Sequence, residues 1–330
     1  KPNIYLLVYE AYVPNETMLG YGIDNSSQES YLMDQGFEVY PSVYSVGSTT
    51  IESLSRVFNV SAEFYGHPKR GVSGDGITQN ILTSLGYKTF AIVDDDTIFR
   101  GIGSSYDFSF PQSKEDEMNT HEIIISSILI GEFGSDFIFD YLTPEQSSNK
   151  KNEIFDSVYR EKGFIYIHSG FPGHSYYYGG CRPNELEMFK EDLSYANLEM
   201  KQDIKKIEEN DPEAIIIVAG DHGPYLTKSC FNTSKQYDIS EITRLDIQDR
   251  FATFLAIKWP SDDYKKYDEI TVLQDLFPVI FAYMYRDEKI LDAKIEPEIL
   301  TRFRINGATV NNGIIDGGLD DGEPLFLTGN

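Results

Sequence analysis

Basic residues, cysteine and long apolar runs are all scarce in this chain. Only 28 lysines and arginines stand against 53 aspartates and glutamates, a formal net charge of −25. A surface so short of positive charge does not hold a phosphate backbone by itself, which excludes the nucleic-acid binders. An anionic substrate would have to be drawn in by a local positive charge, and in so acidic a chain a bound cation is the simplest supplier. Two cysteines, Cys181 and Cys230, leave room for one disulfide or two thiols, and their number alone does not decide. No stretch approaches the roughly 18 consecutive apolar residues of a membrane span; the runs 123–130 and 276–285 are short and interrupted. The chain opens Lys1-Pro2-Asn3, with no basic segment leading into an apolar one. Processing or trimming is therefore expected to have removed what came before, with any membrane anchor or neighbouring domain outside this chain. Internal repeats and low-complexity tracts are also lacking.

What is there reads as a folded globular protein, since 330 residues with 41% hydrophobic content can bury one large core or two modest ones. Apolar, β-branched runs at 3–10, 88–93, 163–168, 214–220 and 251–259 are expected to be strands. Ile4-Tyr5-Leu6-Leu7-Val8 and Ile215-Ile216-Ile217-Val218-Ala219 hardly alternate, as strands covered on both faces do not. Helices are expected at 50–58, 76–85, 121–129, 184–209 and 271–283. The alternation predicts an α/β fold with a central, mostly parallel sheet sandwiched by helices, whose sites lie at the carboxyl ends of the strands.

Three elements there carry chemistry. Ala219-Gly220-Asp221-His222-Gly223 puts a carboxylate and an imidazole, both common metal ligands, just past a buried-type strand. Glu10 ends the first strand in the same way. Either acid alone reads as a helix-capping loop residue. Together, two such acids repel one another unless a cation lies between them. The third element, Val46-Gly47-Ser48-Thr49-Thr50-Ile51-Glu52-Ser53-Leu54, brings hydroxyls to a helix start, where amide hydrogens and the helix dipole favour an alkoxide or phosphate ester. Ordinary capping is the alternative reading of Thr50 and Ser53.

In combination these elements resemble the alkaline phosphatase superfamily in its sulfatase-like branch, and more narrowly the phosphoethanolamine and phosphoglycerol transferases, including lipoteichoic acid synthase. The likeness extends through Phe254-Leu255-Ala256-Ile257-Lys258-Trp259-Pro260 to Asp275-Leu276-Phe277-Pro278. It implies one catalytic domain over 1–304, with the Gly- and Asp-rich tail 305–330 packed on it. It also implies a divalent ion, zinc or manganese, held by Glu10, Thr50, Asp221 and His222. Thr50 is the nucleophile that the resemblance selects, because the family places a serine three residues on, here Ser53; Thr49 is the runner-up. His174 resembles the residue that contacts the transferred phosphate, with His168 in support or tied into the core, and Arg182 as a candidate grip on the anionic substrate.

The activity implied is transfer of a phosphoglycerol- or phosphoethanolamine-like group, through phosphothreonine, onto a cell-surface glycan or lipid. The setting implied is extracytoplasmic, periplasmic or cell-surface, with membrane contact left to a segment outside this chain. A phosphodiesterase or phosphatase on the same scaffold is the alternative. A sulfatase stands behind it, since Thr50-Ile51-Glu52-Ser53-Leu54 lacks the Cys/Ser-X-Pro-X-Arg pattern, and an inactive binding module ranks last. One departure from the family is plain: no histidine follows His222. Arg244, Asp246 and Arg250 are candidates for that place, and the sequence does not choose among them. Cys181 follows the His174 loop and Cys230 the His222 loop, so two segments expected to converge each bring one cysteine, which favours a disulfide at the rim, with two buried thiols as the alternative. His67 and Arg70 read as solvated loop residues, and His121 as structural.

Overall fold

The computed structural model describes residues 1–94, 96–99, 101–111, 143–158, 161–175, 184–228, 237–299 and 305–328. Its centre is a seven-stranded sheet in the order β2-β7-β6-β1-β5-β3-β4. The strands are β1 (Ile4–Tyr9), β2 (Glu38–Tyr40), β3 (Lys88–Val93), β4 (Phe108–Phe110), β5 (Gly163–Ser169), β6 (Ile215–Gly220) and β7 (Leu255–Lys258). Only β7 runs against the others. The fold is thus α/β with a mostly parallel sheet. β1 is the middle strand, pairing in parallel with β5 and β6 so that Tyr9 lies level with both Ser169 and Gly220. Three carboxyl ends therefore stop at one height, and the turns leaving them come together above the sheet.

The helices are α1 (Asn15–Gly20), α2 (Ser26–Asp34), α3 (Thr50–Asn59), α4 (Ile77–Ser84), α5 (Pro144–Val158), α6 (Glu185–Asn210), α7 (Arg244–Phe251) and α8 (Leu276–Tyr285). Alternate residues of β1 face opposite layers. Tyr5, Leu7 and Tyr9 join α5 and α6 through Phe155, Phe189, Leu193, Met200 and Ile204. Ile4, Leu6 and Val8 join α3 and α8 through Leu54, Phe58, Phe277 and Ile280. Both faces of β1 are covered, which is why its sequence is apolar without alternation. Near the carboxyl terminus, β8 (Thr309–Asn311) and β9 (Ile314–Asp316) form a hairpin. Its Val310 and Ile315 are buried in the same cluster as Tyr12 and Phe251.

Two expectations shift. Residue 251 ends α7, and the strand expected at 251–259 shortens to Leu255–Lys258. A capping box causes this: Thr243 Oγ1 accepts from Asp246 N, and Asp246 Oδ2 accepts from Thr243 N at 2.8 Å, starting a helix in a polar stretch. The helix expected from 271 begins at Leu276, after a tight turn at Leu273–Asp275. The helix expected at 121–129 lies outside the described residues.

Phe58 wedges between strand and helix aromatics, with ring centroids 6.2 Å from Phe164, 5.3 Å from Tyr166 and 5.8 Å from Phe277. Replacing it with alanine leaves a cavity under α3. Phe58→Ala is expected to lower stability by about 3–5 kcal/mol in urea unfolding; a loss below about 1 kcal/mol would show that this packing does not hold α3 on the sheet.

Candidate active site

Glu10, His168, His174, Asp221, His222 and Thr50 converge above the carboxyl ends of β1, β5 and β6. Glu10 is stitched in by its backbone, its N–H donating to Ser169 O at 2.9 Å and its carbonyl accepting from Gly173 N at 3.0 Å. Asp221 Oδ1 accepts two amide hydrogens, from Ala11 and from His222, each at 2.9 Å. That fixes the carboxylate and turns its other oxygen, Oδ2, towards His222 Nε2 at 3.4 Å and His168 Nε2 at 3.9 Å. Ala11, at φ 58, takes the left-handed conformation that lets the turn after β1 reach Asp221.

Glu10 is the hub. His222 Nε2 lies 3.0 Å from Oε1, His174 Nε2 3.4 Å from Oε1 and His168 Nε2 3.0 Å from Oε2. Thr50 Oγ1 donates to the same carboxylate, at 3.1 Å to Oε2 and 3.3 Å to Oε1. Thr50 is the first residue of α3. Thr49 is its exposed N-cap, whose side chain accepts from Glu52 N at 3.3 Å. Two trios, Glu10 with His174 and His222, and Glu10 with His168 and Asp221, each bring ligand atoms within 4.8 Å of one another.

The nitrogen chemistry shows what this cluster suits. His222 Nδ1 donates to Gly223 O at 2.8 Å, and His174 Nδ1 to Ser175 O at 3.0 Å. A carbonyl oxygen only accepts, so both Nδ1 atoms carry hydrogen. In the neutral rings the Nε2 lone pairs then point at a carboxylate oxygen, which also offers only lone pairs. His222 Nε2, His168 Nε2 and Asp221 Oδ2 are buried without an aligned hydrogen-bond partner. Buried lone pairs facing one another are costly unless a proton or a cation lies between them. Imidazoles braced from behind by carbonyls, together with two carboxylates and a hydroxyl, fit a divalent ion. The protein's own charges show the same tension. Burial opposes ionisation of Glu10, but His222 and His168 hold its carboxyl well below the ordinary carboxylate range. Burial opposes protonation of His222, but Asp221 and Glu10 push it up to about 9. Burial raises Asp221 and lowers His174.

The supports were not legible in the sequence. Gln274, fully buried, donates to Ser45 Oγ at 3.1 Å and accepts from Val46 N at 3.3 Å, pinning the turn that leads to Thr50. Ser53 belongs to this brace, since its Oγ accepts from Ser45 Oγ at 2.8 Å. Asp249, also fully buried, accepts from Leu226 N, Thr227 N and the Tyr21 hydroxyl, holding the segment after His222. Glu199 accepts from Ser169 Oγ at 2.6 Å and pairs with buried Lys151 at 2.7 Å, anchoring the loop that carries His174. The glycine of Asp-His-Gly also has a physical reason, because a Cβ on Gly223 would lie 2.1 Å from Asp249 O. Of the other expected residues, Arg182, Cys181, Cys230 and His121 lie outside the described residues. His67 and Arg70 are solvent-facing, and Arg70 pairs with Asp75 at 2.6 Å.

No protein-family model matches the chain, and no curated protein sequence matches it. Solved structures do. A lipoteichoic acid synthase, LtaP from Listeria monocytogenes, aligns with a TM-score of 0.59 at 13% identity over 95% of this chain and 81% of that one. The C-terminal periplasmic domain of EptC from Escherichia coli, in complex with zinc, aligns with a TM-score of 0.57 at 13% identity over 94% of this chain and 92% of that one. A Vibrio parahaemolyticus protein of the alkaline phosphatase superfamily gives 0.51 at 14% identity over 86% of this chain and 66% of that one. The chain shares the fold of these alkaline phosphatase/sulfatase-like domains.

Proposed function

We propose that the protein is a metal-dependent phosphotransferase that moves a phosphoglycerol- or phosphoethanolamine-like group through phosphothreonine at Thr50. The observation that carries this reading is the hydrogen bond from Thr50 Oγ1 to Glu10 within a cluster whose remaining ligand atoms, Asp221 Oδ2 and His222 Nε2, have no aligned partner. Glu10, Thr50, Asp221 and His222 would hold the divalent ion. The zinc complex of the EptC domain favours zinc over manganese. When bound, the ion lowers the pKa of the threonine hydroxyl and neutralises charge on the phosphodiester.

The chain's own groups do the rest. Thr50 Oγ1 attacks phosphorus, forming the Oγ–P bond as the bond from phosphorus to the departing alkoxide breaks. Glu10 accepts the hydroxyl's hydrogen bond and aims it, and the proton passes on to solvent, because Glu10 is held too acidic to keep it. The start of α3 turns amide hydrogens and the positive end of its dipole to the new phosphoester. His174, the least buried imidazole of the cluster at 13% exposure, contacts the phosphate and exchanges a proton with the departing or incoming oxygen, with His168 behind it. Attack by an acceptor hydroxyl then breaks the Oγ–P bond and restores Thr50. The acceptor proposed is a cell-surface glycan or lipid, and the setting extracytoplasmic, as for the periplasmic EptC domain. Among the described residues no helix is long and apolar enough to cross a membrane.

Three outcomes test this. Mass spectrometry of zinc-loaded protein incubated with phosphatidylglycerol, phosphatidylethanolamine or an aryl phosphodiester should find an adduct on the Thr50 peptide. The adduct should persist in Thr49→Ala and vanish in Thr50→Ala, with turnover at least about a thousandfold lower; an adduct retained in Thr50→Ala would sink the assignment. Release of the head group into water without an acceptor would identify the hydrolase instead. Asp221→Ala and His222→Ala should each abolish stoichiometric metal binding in a calorimetric titration, and unchanged stoichiometry in both would show that the ligands are misassigned. Gly223→Ala, which forces the turn away from Asp249, should weaken the ion by about 10- to 100-fold without removing any ligand.

A further inference from the structure

Five arginines lie among the described residues, and four are committed to carboxylates: Arg56 to Glu52, Arg70 to Asp75, Arg244 to Asp320 and Arg286 to Asp263. Arg250 is the exception. In a chain with 53 acidic residues, a half-buried guanidinium without a carboxylate partner among the described residues is unexpected on composition alone. What it touches is an aromatic face, its central carbon lying 4.8 Å from the Tyr225 ring centroid. Tyr225 in turn lies flat on His222, with centroids 5.3 Å apart and planes inclined by 9°, and its ring is 5.2 Å from that of His174. Arg250 is thus stacked one ring away from the candidate metal cluster.

The backbone enforces this placement. The Asp-His-Gly turn lies directly on the end of α7, with Gly223 N donating to Arg250 O at 3.1 Å and Tyr225 N to Asp249 O at 3.3 Å. Tyr225 has a φ of 60, in the left-handed region that an aromatic residue adopts only under strain. The structure separates the three charged candidates beyond His222. Arg244 is held by Asp320 and Pro324 O. Asp246 is locked between the Thr243 cap and Lys228. Of the three, Arg250 is the one whose side chain meets a ring that itself packs on the cluster.

We propose that Arg250 is the anion-binding residue of this site, donating two parallel N–H hydrogen bonds to the non-bridging oxygens of the bound phosphodiester. Contact with the Tyr225 ring face holds the guanidinium beside the cluster without using its hydrogen-bond donors, which leaves the fork for a phosphate. The inference rests on the phosphotransferase reading for the identity of its ligand, but its own content is phosphate recognition.

The test is calorimetric titration of zinc-loaded protein with inorganic phosphate, alongside steady-state kinetics on an aryl phosphodiester. Arg250→Gln should weaken phosphate by about 10- to 100-fold and raise KM by a larger factor than it lowers kcat. Arg250→Lys should recover part of the affinity, because it keeps the charge and loses the fork. Zinc affinity should stay at the wild-type value in both variants, which a merely structural role for Arg250 would not allow. Phosphate affinity and KM unchanged in Arg250→Gln would overturn the assignment, and so would a parallel loss of zinc. Wild-type protein that binds no phosphate overturns this inference and the phosphotransferase together. Arginine-dependent phosphate binding with no adduct on Thr50 leaves the inference standing and removes the covalent mechanism.

Discussion

Two buried carboxylates held close together set the terms for the rest of this molecule. Glu10 is 6% exposed and Asp221 is not exposed at all, and they share the space above the central strands with three imidazoles. Like charges at such range in a poorly solvated place raise each other's free energy unless cations or protons intervene. The fold keeps them there by rigid means. β1, β5 and β6 end level, one oxygen of Asp221 is tied to amides on both sides of the cluster, and Ala11 accepts a left-handed backbone to make that bond. A site built on strand ends is more exact than one built on long loops, and here only His174 depends on a loop.

The hydroxyl and the loop residue are positioned by polar side chains behind them, two of them fully buried. Gln274, Asp249 and Glu199 each collect hydrogen bonds from a different segment, so that the turn before α3, the stretch after His222 and the start of the loop after β5 each have a polar group bracing them. Lys151 lies against Glu199 and is itself balanced by Asp203 at 2.6 Å. Removing one member of such a buried pair strands its partner, so these supports are as consequential as the ligands they hold in place.

The parallel strands could be read from the sequence because burial on both faces removes alternation, leaving runs such as Ile215-Ile216-Ile217-Val218-Ala219. Glu10 and Asp221 could be read as a pair because each stands immediately after such a run. α7 was missed in the sequence, because its one signal, the capping pattern Thr243-Arg244-Leu245-Asp246, lies in a segment otherwise too polar to suggest a helix. β2 and β4, three residues each, are too short to carry periodicity. Gln274, Asp249 and Glu199 could not be found from sequence at all: their partners are far along the chain, and an isolated polar residue gives no sign of where its hydrogen bonds go. The choice of Thr50 over Thr49 depends on which hydroxyl points back at β1, a matter of one residue of helix phase. The cap position turns Thr49 Oγ1 to Glu52 N, and the Thr50 hydroxyl is the one that reaches Glu10.

β1 precedes both of its neighbours in the chain yet lies between β5 and β6, with Ile4 level with Phe164 on one side and Ile215 on the other. A nascent polypeptide therefore carries an unpaired, wholly apolar ribbon until those two strands have emerged, the arrangement of distant pairings that slows folding and invites aggregation. The donor atoms keep the same schedule, Glu10 appearing early and His222 far behind it. No short fragment holds all of these donors, so an ion bound to this set would be acquired only as the sheet is completed, and it would act as a latch against unfolding.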